Sequence, residues 1–443
     1  MSFKKVNPQR SVLIGFVSAI LVGTSLLFLP AAHQDPANNK VIDDLFTAVS
    51  ATCVTGLTTV DTATHWTFLG QIIILALIQM GGLGFMTLST AIGAFVLRKI
   101  SLNNRLKASA EVRGQGLFDL RRMVLAVIRI ALLIEFIGFL FLFSRFFFGY
   151  KLSFTESLWK GIFHSVSAFN NAGFALYSDN LISFYHDPWV LLPLSFLTVL
   201  GGLGFPVFMQ LRKAGAHIRL WNMGTKLVLL GTPILLFLGT AVIAVLEWNN
   251  PGSLGTMNSA EKILNSFAQS AFTRTSGFNN LDISTFHPST LLFMDVLMFI
   301  GGGPAGTAGG IKITTFGVLL FVAITEIRGE GAVNILGKRL ARSVHREAIT
   351  VVLLSTALIF VAVFALQLLT AFTTDQLLFE VVSGFATVGL TTGITFEMPL
   401  VGKIILIILM ICGRIGPVTA AAALVYRRRP ALYELPKERP LIG

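Results

Sequence analysis

The chain has 443 residues, of which 54% are hydrophobic and only 13% are charged. A water-soluble core cannot bury so large an apolar fraction, so the composition excludes a soluble globular protein and predicts a polytopic membrane protein. The two cysteines, Cys53 and Cys412, are too few for a disulfide framework or a cysteine-ligated metal site.

The formal net charge is +12, and its distribution along the chain is informative. A pI near 10 is compatible with nucleic-acid binding. However, most Lys and Arg residues lie in alternate segments between apolar runs, whereas most acidic residues lie in the intervening loops. The positive-inside rule then predicts a multi-pass protein of the cell membrane with both termini in the cytoplasm. The acidic outer loops are expected to attract cations. The basic segments are residues 1–10, 98–122, 212–226, 328–346 and 427–443.

Long apolar runs alternate with shorter amphipathic ones in a pattern that occurs four times. Each unit has a run that can cross a bilayer core of about 30 Å, a run too short to do so, a non-helical stretch and a second long run. The pattern predicts an all-α membrane protein with eight transmembrane helices and four re-entrant pore half-helices in pseudo-four-fold arrangement. The long runs are residues 11–30, 66–97, 123–148, 188–211, 227–248, 290–325, 348–372 and 402–426; the short runs are 41–52, 156–169, 259–272 and 374–385; the four repeats, 1–110, 111–220, 221–340 and 341–443, form one pore domain.

A short stretch ending in glycine follows each short run, at intervals of about a quarter of the chain, as expected for an internal repeat. Non-helical backbone at membrane depth is tolerated only where protein buries it or where it lines an aqueous cavity. Four such stretches around one axis would form rings of backbone carbonyls that replace the hydration shell of a cation. The glycines permit the backbone conformations that point these carbonyls inward. The candidate filter residues are Thr52, Cys53, Val54, Thr55 and Gly56; Asn170, Asn171, Ala172 and Gly173; Arg274, Thr275, Ser276 and Gly277; and Ala386, Thr387, Val388 and Gly389.

A second glycine mark occurs within the second long run of each unit, and in the third unit it expands to residues 301–312. Its glycines predict an interruption of the helix, since each costs a helix up to ~1 kcal/mol relative to alanine. The simpler interpretation is a kink or close packing of small residues. We favour a mobile gate, because Lys312 places a charge near membrane depth. The candidate gate residues are Gly301, Gly302, Gly303, Pro304, Ala305, Gly306, Thr307, Ala308, Gly309, Gly310, Lys312 and Arg414.

Arg414 lies within the last apolar run, where a charged side chain is costly and usually functional. At the level of the second glycine mark it would repel cations and donate hydrogen bonds to the carbonyls of residues 301–312. The alternative is a structural ion pair with an acid of a neighbouring span, for which Glu135 is the candidate. Arg274, inside the third filter stretch, is expected to brace the filter from behind through backbone carbonyls, because a guanidinium cannot ligate a cation.

Together these features resemble the Trk/Ktr/HKT superfamily of cation transporters, and most closely the B, pore-forming subunit of bacterial Ktr potassium uptake systems. The resemblance rests on the four-fold plan, on residues 301–312, on Arg414 and on residues 387–389, whose Thr-Val-Gly is similar to the start of a potassium-channel filter. It implies that one chain encloses a complete potassium pore with the gate segment below the filter. It also implies homodimers that dock on an octameric ring of cytosolic, nucleotide-binding RCK subunits.

The resemblance implies no covalently bound cofactor, only potassium ions in the pore, with ATP or ADP acting through the partner subunit. Potassium uptake would depend on sodium, and the tail 427–443 would lie at the dimer interface or anchor lipid headgroups. Serine at the position of Gly56 accompanies sodium preference in the superfamily, so glycine there favours potassium.

The sequence leaves two other transport functions as alternatives and disfavours an enzyme. The nearest alternative is a sodium-selective member of the same superfamily. A proton-coupled secondary transporter would require intramembrane carboxylates as relays, for which Glu135 alone is weak support. An enzyme is disfavoured, since the sequence offers no nucleophile–base pair and no metal-ligand cluster.

Overall fold

The computed structural model describes residues 8–84 and 117–416. The C-terminal parts of the predicted spans 66–97 and 402–426 lie outside these residues, as do the tail 427–443 and most of the basic segment 98–122. Within the described part, the regular structure is helical apart from one antiparallel hairpin. Its strands, β1 Asn334–Ile335 and β2 Lys338–Arg339, pair with Asn334 opposite Arg339.

The predicted all-α class is confirmed, whereas the number of repeats stays a prediction. A π-helical turn, Arg145–Gly149, extends the fifth helix. In chain order the α-helices are α1 Pro8–Leu27, α2 Val41–Cys53, α3 Thr62–His65, α4 Phe68–Gly84, α5 Leu117–Ser144, α6 Phe154–Phe169, α7 Pro188–Leu203, α8 Phe205–Ala214, α9 Met223–Glu247, α10 Ser259–Thr273, α11 Pro288–Phe299, α12 Ile313–Ile327, α13 Arg342–Leu369, α14 Thr374–Phe385 and α15 Leu400–Ile415.

Three helices of the described part are long and apolar enough to cross a membrane, namely α5, α9 and α13. The pair α7 and α8 meets the same test if it is counted as one broken span, and α1, α4, α11 and α12 contain shorter apolar segments. This content agrees with a multi-pass membrane protein. The predicted total of eight spans stays a prediction.

The four predicted half-spans correspond to α2, α6, α10 and α14, which have 13, 16, 15 and 12 residues. At about 1.5 Å per residue, such helices are shorter than a bilayer core of about 30 Å. The starts of α10 and α14 are fixed locally by capping boxes, formed by Asn258 with Glu261 and by Thr373 with Gln376. Their C-terminal turns are buried, so all four helices end inside the protein.

The prediction of one continuous span over residues 188–211 is wrong. The helix ends at Leu203, and α8 leaves in a direction that differs by 85°. Gly204 adopts φ 88°, which is incompatible with a right-handed helix, and Pro206 at the start of α8 has no N–H to donate. The bend therefore interrupts the second span of the second repeat at its glycine mark.

The last helix of the described part packs against the first short helix. Lys403 of α15 forms an ion pair with Asp43 of α2 at 2.7 Å, and the hydroxyl of Thr59 donates to the same carboxylate. The two charged side chains are 9% and 6% exposed, so either one alone would be a buried, unpaired charge. This contact brings the first and last units together.

Candidate ion-conduction site

The four candidate filter stretches share a pattern of left-handed residues. In each, the terminal glycine and the residue two positions before it have positive φ angles. Left-handed residues interrupt the alternation of carbonyl directions along an extended strand, so carbonyls of neighbouring residues face one side. The angles are 56° for Val54 and 97° for Gly56, 61° for Asn171 and 69° for Gly173, 87° for Thr275 and 72° for Gly277, and 50° for Thr387 and 95° for Gly389.

The four stretches also contact one another in a closed cycle. A methyl group on any of the four glycines would collide with the carbonyl oxygen that precedes the glycine of the next stretch. The last stretch closes on the first, so the order around the cycle is the order along the chain. The collisions are between Gly56 and Ala172 O, Gly173 and Ser276 O, Gly277 and Val388 O, and Gly389 and Thr55 O.

Serine side chains of the short helices hold two of these glycines. The Ser50 hydroxyl accepts a hydrogen bond from Gly56 N at 3.0 Å, and the Ser383 hydroxyl accepts one from Gly389 N at 3.1 Å. Both serines lie six residues before their glycine. The helices α2 and α14 thus position the filter stretches that follow them.

The loops that follow two of the stretches are tied down by residues that the sequence analysis missed. His164 accepts a hydrogen bond from Leu176 N at 3.2 Å, and its other ring nitrogen lies 2.7 Å from a backbone carbonyl to which it donates. Glu380 accepts hydrogen bonds from Thr391 and Thr395. His164 and Glu380 both lie nine residues before the glycine of their stretch, but the other two repeats have Thr47 and Ala268 there, so the sequence alone carries no common signal.

The structure differs from the sequence prediction at the start of the first stretch. Thr52 and Cys53 were expected to contribute filter carbonyls, but both belong to the last turn of α2. The carbonyl of Thr52 abuts Gly81 of α4 rather than the filter of a neighbouring repeat. The helical conformation continues to Cys53 because the first left-handed residue is Val54.

The contact between Thr52 and Gly81 explains the second glycine mark. Phe169 O meets Gly201 in the same way, and Phe385 O meets Gly413. In each case a Cβ atom on the glycine would overlap the carbonyl oxygen. Glycine therefore allows the second span to approach the end of its own short helix.

We expect Gly201→Ala to destabilise the protein strongly, because the new methyl group would overlap Phe169 O. The matched control is Gly202→Ala in the same helix, where the added atom has 3.5 Å or more to every neighbour. Replacing a helical glycine with alanine is otherwise favourable by up to ~1 kcal/mol. Thermal unfolding in detergent should show a lower midpoint for Gly201→Ala alone. Equal midpoints for the two variants would contradict this explanation of the glycine mark.

The glycine-rich segment 301–312 interrupts the helix, as predicted, since α11 ends at Phe299 and α12 begins at Ile313. It packs into the bend between α7 and α8. Gly303 N donates to Gly202 O at 2.7 Å, and Thr307 N donates to Gly201 O at 3.2 Å. Phe205 N, at the start of α8, donates to Ala305 O at 3.3 Å. The bend in one repeat therefore holds the glycine-rich segment of the next.

The same segment reaches the bases of two filter stretches. The hydroxyl of Thr307 donates to Phe169 O at 3.3 Å, directly before the second stretch. Gly309 packs so closely on Thr387 and Ala386 O that a Cβ atom would not fit. Lys312 folds back within the segment, with its ammonium donating to Ala308 O.

Arg274 links the third filter stretch to this segment. Its guanidinium is buried and donates to Gly301 O and to Thr232 O of α9, both at 3.2 Å. The expected bonds to backbone carbonyls are present, but the carbonyls belong to the glycine-rich segment and to α9 rather than to the filter. Arg274 thus braces the third stretch from behind, against two neighbouring elements.

Arg414 contacts a different part of the glycine-rich segment. Its side chain is 2% exposed, and it donates to Thr307 O and, at 3.0 Å, to Gly81 O of α4. Glu135, the alternative partner considered above, accepts hydrogen bonds from Gln79 and Asn170. The guanidinium therefore joins the segment to the first repeat. Its role as a gate stays a prediction.

Two further carboxylates lie inside helices, and the sequence analysis did not single them out. Glu380 is fully buried in α14, and Asp295 is 7% exposed in α11. Asp295 Oδ1 has no hydrogen-bond partner among the described residues. Both lie within the predicted apolar runs 290–325 and 374–385, so their positions in the sequence were a signal that could have identified them.

Comparison with known proteins places the chain in one family. Residues 9–427 match the TrkH cation transport protein family. The chain is 38% identical to the Ktr system potassium uptake protein B of Vibrio alginolyticus, with 99% of this chain and 96% of that protein covered. It is 39% identical to the protein of the same name from Bacillus subtilis, with coverages of 94% and 92%.

Two more similarities extend the comparison. The chain is 33% identical to the potassium/sodium uptake protein NtpJ of Enterococcus hirae, over 99% of this chain and 98% of that protein. The crystal structure of the potassium transporter TrkH from Vibrio parahaemolyticus superposes with a TM-score of 0.76, over 96% of this chain and 86% of that one. Identity to that structure is only 16%, so it supports the fold alone.

The fold and the site together define a helical membrane protein in which four stretches that end in glycine converge. The chain belongs to the TrkH family of cation transport proteins. The family consists of transporters rather than enzymes, as the sequence analysis expected.

Proposed function

We propose that this protein takes up potassium ions through the cycle of four filter stretches. The observation that carries the proposal is the closed order of contacts, in which each terminal glycine faces the carbonyl preceding the next one. The positive φ angles at the same two positions of all four stretches support this proposal. Neutral carbonyls can replace the water around a cation without binding it too tightly to leave.

Potassium is the favoured ion for two reasons. The relatives from Vibrio alginolyticus and Bacillus subtilis are named for potassium uptake. In addition, all four stretches end in glycine, so the first position matches the potassium-preferring pattern of the superfamily. The Enterococcus hirae relative is named for both potassium and sodium, which makes sodium permeation the second candidate.

We infer that residues 301–312 and Arg414 form the gate. The segment lies against the bases of the filter stretches, at Phe169 and Thr387, so it obstructs the path below them. Arg414 holds the segment through Thr307 O and adds a positive charge to a narrow, low-dielectric passage. Opening would require this hydrogen bond and the backbone bonds to the α7–α8 bend to be released.

Regulation is assigned to partners. We propose a homodimer in the cell membrane with both termini in the cytoplasm, docked on an octameric RCK-type subunit that carries the nucleotide site. Sodium dependence is part of the same proposal. The basic segments that would face the cytoplasm support this orientation.

The proposed function predicts rescue of a bacterial strain that lacks its own potassium uptake, when the chain is expressed with a Ktr regulatory subunit. Gly389→Ala should abolish growth at low potassium, because its methyl group would collide with Thr55 O. The matched control is Gly393→Ala in the same loop. Gly393 has φ 97°, close to the 95° of Gly389, but no neighbour within 4 Å. Failure of the unaltered chain to rescue growth would refute potassium uptake.

A separate prediction concerns the nucleotide. We expect the purified chain alone to show no saturable ATP or ADP binding in calorimetry, because the nucleotide acts through the partner subunit. The complex with a regulatory subunit is the positive control and should bind. Tight, saturable binding to the chain alone would refute the assignment of regulation to a partner.

A further inference from the structure

We propose that a hydrogen-bonded seam between the second and third filter stretches sets the ion selectivity of the pore. The seam consists of Asn171, Thr198, Thr275 and Ser276. None of its side chains faces a permeating ion in this proposal; they are positioning residues that fix the carbonyls of two stretches relative to each other. The inference rests on the proposed function, since it assumes that these carbonyls line the ion path.

The first half of the seam is the contact between Asn171 and Thr275, which lie 3.0 Å apart and are both fully buried. One orientation of the Asn171 amide satisfies every neighbour. Its oxygen then accepts from the Thr275 hydroxyl at 3.0 Å, and its nitrogen donates to Ala168 O at 3.1 Å and Thr198 O at 3.0 Å. One side chain of the second stretch thereby binds α6, α7 and the third stretch.

The second half of the seam joins α7 directly to the third stretch. The hydroxyl of Thr198 hydrogen-bonds to the hydroxyl of Ser276 at 3.0 Å, and both residues are at most 1% exposed. Ser276 also supplies the carbonyl that faces Gly173. Its oxygen lies 2.5 Å from the position that a Cβ atom on Gly173 would occupy. The residue whose carbonyl belongs to the cycle is therefore held through its own side chain.

The equivalent positions of the other stretches lack such bonds. Two residues before the glycine, the first stretch has Val54 and the fourth has Thr387. The hydroxyl of Thr387 is buried without a hydrogen-bond partner among the described residues. One residue before the glycine, the hydroxyl of Thr55 is likewise buried without such a partner, and Val388 has no polar atom. Within the described part, side-chain hydrogen bonds at these two positions therefore occur at one seam of the cycle, between the second and third stretches.

A single braced seam has a direct physical consequence. Carbonyl rings discriminate between ions by their number, field and spacing, and a ring that contracts easily accommodates a smaller ion. The seam keeps the second and third stretches at a fixed distance while the remaining contacts are between backbone atoms. Removing the seam should let the ring contract, so that sodium permeates better relative to potassium. Potassium flux itself should change less than the ratio.

The test measures potassium, rubidium and sodium flux through the full-length chain in liposomes. Thr275→Val removes the hydroxyl and keeps the shape, and it installs the residue that the first stretch already carries at φ 56°. Thr275→Ser retains the hydroxyl. Thr387→Val is the same change at the same position of the fourth stretch, where no such bond is lost. Thr198→Val removes the hydrogen bond to Ser276 by a change outside the filter. It provides the test if Thr275→Val does not fold.

We expect Thr275→Val and Thr198→Val each to lower the potassium-to-sodium flux ratio by about threefold, as expected for the loss of one net hydrogen bond. Thr275→Ser should restore the ratio, and Thr387→Val should shift it less than Thr275→Val. The double variant should shift it by less than the product of the single effects, because both act on one seam. Unchanged ratios in Thr275→Val and Thr198→Val, with potassium flux intact, would overturn the inference and leave potassium conduction standing. Absence of potassium flux in the unaltered chain would overturn the proposed function, and this inference with it.

Discussion

Gly56→Ser is expected to lower the potassium-to-sodium flux ratio by about tenfold or more, the largest change in selectivity that we predict. Gly56 has φ 97°, and a Cβ atom there would lie 2.5 Å from Ala172 O. Backbone strain of this kind costs about 1–3 kcal/mol, and each ~1.4 kcal/mol corresponds to a factor of ten. The serine must therefore displace the carbonyl of the second stretch and deform the ring. Liposome flux with each cation measures the ratio.

The control for this variant is Gly393→Ser. Gly393 has the same φ of 97°, but it lies in open space after the fourth stretch, with no neighbour within 4 Å. Any general cost of serine in a left-handed conformation is shared by the two variants, whereas the collision is specific to Gly56. An unaltered ratio in Gly56→Ser would show that this position does not determine selectivity.

The second large effect is expected from Arg414→Ala, which should raise potassium flux by about tenfold or more. The guanidinium donates to Thr307 O and Gly81 O. In the proposed gate its positive charge would also oppose cations in the passage. Losing both contributions should lower the barrier, and each ~1.4 kcal/mol removed gives a tenfold faster rate. Arg414→Lys keeps the charge but loses the forked donor geometry, so we expect an intermediate flux. Surface expression is matched between the variants.

A double variant separates the two contributions. Deleting residues within 303–310 removes the obstruction while keeping the charge of Arg414. If both act on one barrier, combining the deletion with Arg414→Ala should raise flux by less than the two free-energy effects added together. Unchanged or reduced flux in a properly folded Arg414→Ala protein would mean that the arginine has a structural role, tying α4 to residues 301–312. Full additivity would mean that charge and segment act separately.

The sequence predicted the parts of this structure that depend on local pattern. The short helices, the left-handed glycines and the interruption at residues 301–312 follow from helix length and from glycine chemistry. The bend at Gly204 was not predicted, because residues 188–211 form one long apolar run, which predicts a continuous span. Only the packing shows that the bend holds the glycine-rich segment through Gly201 O and Gly202 O.

Contacts between repeats could not be predicted from one sequence. Arg274 was expected behind the filter, yet its partners, Thr232 O and Gly301 O, depend on how α9 and residues 301–312 approach each other. Asn171 occupies the position that Thr387 has in the Thr-Val-Gly of the fourth stretch. Its bond to Thr275, 104 residues away, becomes visible only when two stretches are brought side by side. Local chemistry identified these residues, and tertiary packing supplied their partners.

The most direct test of the central claim is cation flux through the purified chain in liposomes loaded with potassium, sodium or rubidium. The account predicts potassium and rubidium flux well above sodium flux, through the chain as the only protein present. It also predicts that Gly389→Ala abolishes potassium flux while Gly393→Ala retains it, because only the first methyl group collides with Thr55 O. Equal flux of the three cations, or potassium flux that persists in Gly389→Ala, would contradict a pore built from these four glycine stretches.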